Sequence, residues 1–410
     1  MSRVLAYTSP ARGHLFPLVP ILDELVRRGH EVHLRTLAGE IPGMRARAFA
    51  AEPIDARIEA IPLEDWKAPN ARSALVAATA TFVARGAFDG PDLAAACAAV
   101  DPDVLVVDVN AWGASAAAEA SGRPWAAFSP YLLPIASPDA PPYGLGLTPA
   151  RGPLGRIRDA VVRPLVIGMV ERTMLPRYNA VRRAISPALT PIRSATDMYG
   201  RAPRLLYLTA EPFEYHRRAW PTNVRMIGPS AWEPTSEAPA WLADEKRPVI
   251  LVATSSEYQA DARLAQAAFD AFANEDVLVV ATLPSQDPTA LRVPANGRAE
   301  SFVPHGPILA RAALAITHGG MGVTQKALAA GVPVVAVPFG RDQPETARRV
   351  EVAGAGVMLA PRRMSPASLR AAAAVARGRK AGAERIAAAF AAAGGAPRAA
   401  AELEGLIAGG

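Results

Sequence analysis

Twice along this chain, short apolar runs alternate with segments of helical periodicity. That alternation constrains the fold more than any other feature. Near-continuous apolar runs joined through helices mark parallel strands covered on both faces, because a parallel pair needs a crossover to return the chain. In the first unit, strands are expected at 4–8, 31–37, 104–107 and 124–128. A turn is expected at 9–13, with helices at 16–28 and 112–121. Pro17 is read into the first helical turn, where its missing N–H costs little. The second unit begins after Pro248, with strands at 249–253, 277–282, 300–303, 314–317 and 334–337. Helices are expected at 262–273, from 323 through 330, and at 345–353, with alanine-rich helices to the end.

The stretch between the units differs in character. Residues 129–155 are rich in proline and glycine and read as an irregular loop, followed by an arginine-rich helical region at 157–184 and a strand at 205–208. Residues 216–245 hold several prolines with Trp220, Trp232 and Trp241 and read as a linker. At 410 residues the chain exceeds one ordinary core. The expected fold class is therefore α/β, with two Rossmann-like, doubly wound parallel-sheet domains facing a central cleft. The N-terminal domain is expected at 1–215, the linker at 216–245 and the C-terminal domain at 246–410. Ligands of such folds sit beyond the carboxyl ends of the strands.

Composition narrows the partners. The formal charge is 44 − 38 = +6, carried almost entirely by arginine. The arginines are scattered, with no basic block and no aromatic ladder, so they read as a solvated surface rather than a nucleic-acid face. Cys97 is the single cysteine, so no intrachain disulfide can form, which fits a reducing compartment. One cysteine and six scattered histidines give no zinc pattern. The N-terminus enters directly as a strand rather than a signal peptide. No apolar run approaches the roughly 20 residues of a membrane span. The expectation is a cytoplasmic protein with no membrane span and no nucleic-acid partner.

Three short patterns carry chemistry. In Thr317-His-Gly-Gly-Met-Gly-Val-Thr324, an expected strand feeds a glycine-rich turn that opens a helix. The first N–H groups of a helix lack internal partners, its dipole adds positive charge, and glycines admit a diphosphate to the backbone. His318 adds another donor. Taken alone, the pattern also suits an ordinary strand-to-helix turn. Gly340-Arg-Asp-Gln343 follows the strand at 334–337 and offers Asp342 and Gln343 to sugar hydroxyls. Asp-Gln before Pro344 is equally a helix N-cap. Ser9-Pro-Ala-Arg-Gly-His14 ends the first strand and presents a histidine suited to general-base work. Asp108 ends a parallel strand of the same unit, so it can orient that imidazole. Surface or structural histidine, and helix-capping aspartate, are the plainer readings of these two.

Two patterns are set aside. Asp101-Pro-Asp103 matches the D-x-D spacing of metal-binding carboxylates, but it precedes a strand, at the end of the sheet away from the cleft. It reads as a turn. His30 and His33 straddle the start of the second strand and read as structural.

In order and spacing these motifs resemble the family 1 glycosyltransferases of GT-B fold, above all the bacterial branch that decorates macrolides, enediynes and other natural products. The resemblance rests on Gly13-His14 with Pro17, Phe302-Val-Pro-His305 with Ile308-Leu309, Thr317-His-Gly-Gly-Met-Gly322, Ala330-Gly-Val-Pro333, and Asp342-Gln343. It implies His14 as general base and Asp108 as its partner. It implies that Phe302, Val303 and His305 hold the nucleoside base. His318, Gly319, Gly320, Gly322 and Val323 would bind the diphosphate, and Asp342 and Gln343 the donor sugar. The C-terminal helices from about Ala383 would pack back on the N-terminal domain. Three departures stand out. Ser255-Ser256 replace glycine then Ser/Thr, leaving Ser256 as the phosphate contact. Val323 replaces a hydroxyl residue, although Thr324 is adjacent, and Lys326 replaces a ribose-binding glutamate.

The implied reaction transfers a sugar from a dTDP- or UDP-sugar to a hydroxyl of a small aglycone, with inversion, no metal and no cofactor. Acceptor contacts are expected from Trp66, Phe82, Trp112, Phe128 and Tyr131, covered by the loop at 129–155, with core packing the plainer reading for each aromatic and expected of at least half. A homodimer is left open. The rivals are a nucleotide-sugar 2-epimerase on the same fold and a non-catalytic nucleotide-sugar-binding protein.

Overall fold

The computed structural model describes residues 1–234 and 237–409. Thr235 and Ser236, within the expected linker, and Gly410, at the end of the expected C-terminal domain, lie outside the described residues. Two parallel sheets organise the chain. The first runs β3-β2-β1-β4-β5-β6-β7 and the second β10-β9-β8-β11-β12-β13, with every pairing parallel. The N-terminal strands are β1 (Arg3–Tyr7), β2 (Glu31–Thr36), β3 (Ala50–Pro53), β4 (Val104–Asp108), β5 (Trp125–Ser129), β6 (Arg204–Tyr207) and β7 (Val224–Met226). The C-terminal strands are β8 (Val249–Ala253), β9 (Leu278–Thr282), β10 (Gly297–Glu300), β11 (Ala312–Thr317), β12 (Val334–Ala336) and β13 (Gly356–Met358). Every residue of β4, β5, β8 and β9 is buried. Unbroken apolar runs therefore appear where the sheet is covered on both faces. In each sheet the strand order reverses beside the first strand, between β1 and β4 and between β8 and β11. Those switch points open crevices at the strands' carboxyl ends.

The linker expectation requires adjustment. Residues 224–226 within it form β7, the edge strand beside β6, with Leu205 opposite Val224. The strand is three residues long and half-buried, too short and mixed to stand out as a periodic run. The C-terminal helices expected to pack back from about Ala383 first meet the N-terminal domain at Phe390, whose ring lies edge-on to Phe213 at 5.8 Å. Helix Lys380–Ala392 packs on helix Met321–Ala329 of the second domain, and helix Gly395–Gly409 crosses to the first. Ala399, Ala400 and Leu403 bury in the N-terminal core against helix Arg12–Arg27. Glu404 meets Arg28 at 2.6 Å and His30 at 3.0 Å, while Glu402 meets Arg204 and Arg225, each at 3.0 Å. His30 is thus a structural residue, and so is His33, which bonds Glu31.

A buried charge cluster holds the halves together. Arg349, in helix Gln343–Val352, contacts Glu214 at 2.8 Å and Glu345 at 2.9 Å. Glu345 in turn accepts from the Gly144 and Gly146 amides, each at 2.8 Å. The expected 129–155 loop is thereby tied to the second domain. Burial drives Glu214 toward the neutral form, but Arg349 and Arg217 outweigh it and hold the carboxyl below the ordinary range. A buried pair of this kind fixes geometry more than it adds stability.

Candidate active site

Both halves of the site hang from the switch points. His14 enters just after β1, and Asp108 is the last residue of the neighbouring β4. The helix carrying His14 runs Arg12–Arg27 and starts four residues earlier than the sequence suggests. Ser9 makes this possible. Its N–H and hydroxyl both donate to Asp108, the amide at 2.9 Å, and Ala11 then caps the helix in extended geometry. Pro17 consequently lies inside the helix with Pro20, not in its first turn.

The imidazole Nδ1 lies 2.9 Å from the Asp108 carboxylate. Asp108 is fully buried and also accepts from the Asn110 amide at 3.0 Å. A carboxylate can only accept, so Nδ1 carries the proton and Nε2 presents its lone pair. Burial pushes the His14 pKa down, but Asp108, helped by Glu257 and Asp342 across the cleft, more than compensates and the net shift is upward. Asp108 answers in kind. Burial would raise it, yet His14 and its donors hold it below the ordinary carboxylate value.

The second half is the turn between β11 and helix Met321–Ala329. Gly319 has φ +84°, which disfavours any side chain. A Cβ on Gly320 would stand 2.2 Å from His318 Nε2, so only glycine lets the imidazole lie over the backbone. Gly320 caps the helix with no side-chain cap. Its first amides are thus open to an anion. His318 Nδ1 lies 3.3 Å from the Ala253 carbonyl, which fixes that nitrogen as donor. Burial holds the imidazole below its ordinary pKa, so it is neutral. Thr324 hydrogen-bonds Thr317 inside the core and is closed to ligand. Asp342 stands at the N-cap position of helix Gln343–Val352, but its side chain caps no helix amide, and burial pushes its carboxyl above the ordinary range although Arg341 and His14 oppose the shift.

Known proteins resemble this chain in sequence and in fold. Residues 266–404 match the family described as erythromycin biosynthesis protein CIII-like, C-terminal domain. The chain is 36% identical over 389 residues to 4'-demethylrebeccamycin synthase of Lentzea aerocolonigenes, covering 90% of both chains. The chain belongs to the GT-B natural-product glycosyltransferases. NDP-glycosyltransferase YjiC of Bacillus licheniformis is 26% identical, with 90% of this chain and 87% of that protein covered. Among solved structures, glycosyltransferase VinC in complex with dTDP superposes with TM-score 0.73 at 20% identity, over 100% of both chains. CalG4, the calicheamicin glycosyltransferase, gives 0.72 at 20% identity, over 100% of this chain and 98% of that one. These solved structures share the fold.

The other expected site residues of the glycosyltransferase divide. Phe302 is 54% exposed and Val303 is buried. His305 bonds Thr282 at 3.1 Å, and burial lowers its pKa to about 4. Lys326 pairs with Glu233 at 3.0 Å. Ser256 lines a cavity of about 280 Å³ shared with Arg12, Glu40 and Glu59. Gln343 is engaged. Its oxygen accepts from Phe339 and Gly340 and its nitrogen donates to Gln259, so it braces the turn that presents Asp342.

The acceptor aromatics need correction. Trp112 is 1% exposed and packs with Tyr178, Val181 and Ile192, against Phe82. Phe128 points into the opposite face of the sheet, against Val4 and Leu15. For both, core packing is the reading that holds, and neither reaches an acceptor. Trp66 is 38% exposed and meets Tyr258 edge-on at 5.0 Å across the cleft. Beside it, Arg341 joins Asp65 and Glu257, each at 2.6 Å. Tyr131 remains beside His14, with ring centroids 5.6 Å apart. The D-x-D pair is a turn, with Asp101 paired to Arg123 and Asp103 accepting from the Arg3 amide. Among the described residues, no three His, Cys, Asp or Glu side chains converge into a metal-binding group. No helix among them is long and apolar enough to cross a membrane.

His14 should titrate above the ordinary imidazole value of about 6.5. Asp108→Asn removes the charge that favours the imidazolium, so the titration should move to lower pH. Histidine-resolved NMR measures both, and an unmoved His14 titration in Asp108→Asn would break the link between the two residues.

Proposed function

We propose that this enzyme is an inverting, metal-independent glycosyltransferase. It moves a sugar from a nucleoside diphosphate to a hydroxyl of a small natural-product acceptor. The observation that carries the reading is the His14 imidazole, bonded through Nδ1 to buried Asp108 so that Nε2 is left as the lone-pair nitrogen. The dTDP held by VinC supports a nucleoside-diphosphate donor, dTDP or UDP. The name of the rebeccamycin-pathway relative supports a natural-product acceptor.

The acceptor O–H donates to His14 Nε2, and its oxygen attacks the anomeric carbon from the face opposite the diphosphate. The bond from that carbon to the diphosphate oxygen breaks as the new one forms, so the configuration inverts. His14 becomes an imidazolium, and Asp108 stabilises it while staying ionised. The leaving diphosphate meets the open amides from Gly320 to Val323 and the positive end of the helix dipole. His318 joins them through Nε2, which takes up a proton as the anion binds. Ser256 adds a phosphate contact. Phe302, Val303 and His305 hold the base. Asp342 contacts the sugar, and Gln343 acts by holding the turn that carries it. Tyr131 and Trp66 line the acceptor side.

His14→Ala should lower turnover by at least ~100-fold, a typical general-base contribution, while calorimetry shows donor affinity little changed. Near-normal turnover would remove His14 as the base. The leaving group needs neutralised charge, from a cation or from fixed groups. Here the fixed groups suffice, so turnover should survive exhaustive chelation. Activity that vanishes with chelator and returns with manganese would contradict this.

A further inference from the structure

His14 faces a second polar group besides its carboxylate. Asn110 lies two residues beyond Asp108, and its side-chain Nδ2 sits 3.3 Å from His14 Nε2. The orientation of that amide is set from behind. The Tyr131 hydroxyl donates to Asn110 Oδ1 at 2.8 Å, which turns the NH₂ toward the imidazole. The directions form one consistent chain. Tyr131 O–H donates to Asn110 Oδ1, Asn110 N–H donates to His14 Nε2, and His14 Nδ1–H donates to Asp108. An N–H can donate only to a lone pair, so this chain exists only when Nε2 is unprotonated.

We infer that Asn110 is a positioning residue for the transfer, whose side-chain amide, aimed by Tyr131, keeps His14 Nε2 free of a proton until the acceptor hydroxyl arrives. The inference rests on His14 being the base. The groups around the imidazole give Asn110 this role. Asp108 from β4, Glu257 from the segment after β8 and Asp342 from the segment after β12 each push the imidazole toward its protonated form, Asp108 most strongly, while burial opposes all three. Tyr131, from the segment after β5, stays a neutral phenol because burial drives its pKa well up. A base surrounded by carboxylates would hold its proton too long without an opposing donor. The amide of Asn110 is that donor, since facing N–H groups repel once Nε2 is protonated. Its long contact yields readily to a hydroxyl, and the displaced NH₂ can then donate to the acceptor oxygen. The backbone N–H of Asn110 independently serves Asp108, so side-chain substitution leaves the dyad's own bond in place.

The test is the pH profile of kcat/KM for acceptor in Asn110→Ala, Asn110→Asp and Tyr131→Phe, with nucleoside-diphosphate affinity as the folding control. Asn110→Asp places a carboxylate against Nε2, and the acid limb should move up by about 1 pH unit. Asn110→Ala and Tyr131→Phe should move it the same way by less, the latter because the amide is free to turn. A fall in activity with the acid limb unmoved in both Asn110 variants reduces Asn110 to a structural residue and overturns the inference. His14→Ala run alongside separates the two ideas. Lost turnover there with unmoved limbs removes only the Asn110 role, whereas retained turnover removes the base itself and the inference with it.

Discussion

The hydrogen bond between His14 and Asp108 is the interaction on which the rest of the structure depends. A fully buried carboxylate is costly without partners, and the fold supplies four. The Ser9 amide and hydroxyl, the Asn110 amide and the His14 imidazole all converge on it. Those donors come from only two segments, the turn and first helical residues after β1 and the end of β4. The parallel pairing of β1 and β4 brings them together. The same donors explain why the first helix starts at Arg12, because Ser9 turns the chain while bonding Asp108. Helix start and the tautomer of His14 follow from one constraint.

The second domain repeats the logic with different chemistry. Its switch point presents a neutral histidine and uncapped helix amides rather than a charged pair. On the proposed reading, the first domain removes a proton and the second receives negative charge. The domains must then keep a fixed relation, and three contacts set it. Helix Gly395–Gly409 is built into the first core, Arg349 joins Glu214 to Glu345, and Arg341 joins Asp65 to Glu257. Arg341 is adjacent to Asp342, so the clasp and the proposed sugar contact share one turn.

Much of this was legible in the sequence, and the gaps have physical reasons. Parallel strands buried on both faces leave continuous apolar runs, so β1, β4, β5, β8, β9 and β11 could be placed. The half-buried β7 leaves no such run. His14, Asp108 and His318 could be singled out because each ends a strand or opens a helix, the positions from which ligands of such folds are approached. Trp112 and Phe128 show the limit of the same rule, since of their two readings core packing holds. A position at the rim says nothing about which face its side chain takes, and both turned into the core. Ser9 and Asn110 were missed, although both flank residues already singled out. Their roles depend on which side-chain atoms converge, and only tertiary structure provides that. Asp342 was ambiguous between cap and ligand, and its uncapped side chain favours the cleft.

The central claim is a single in-line displacement between the two halves of the cleft. The most direct measurement is the anomeric configuration of the product, read by NMR from the coupling of the transferred sugar's anomeric proton and compared with the donor. One displacement with His14 as base predicts the opposite configuration in every product molecule. Retention would require an enzyme-bound or dissociated intermediate, and would contradict the account.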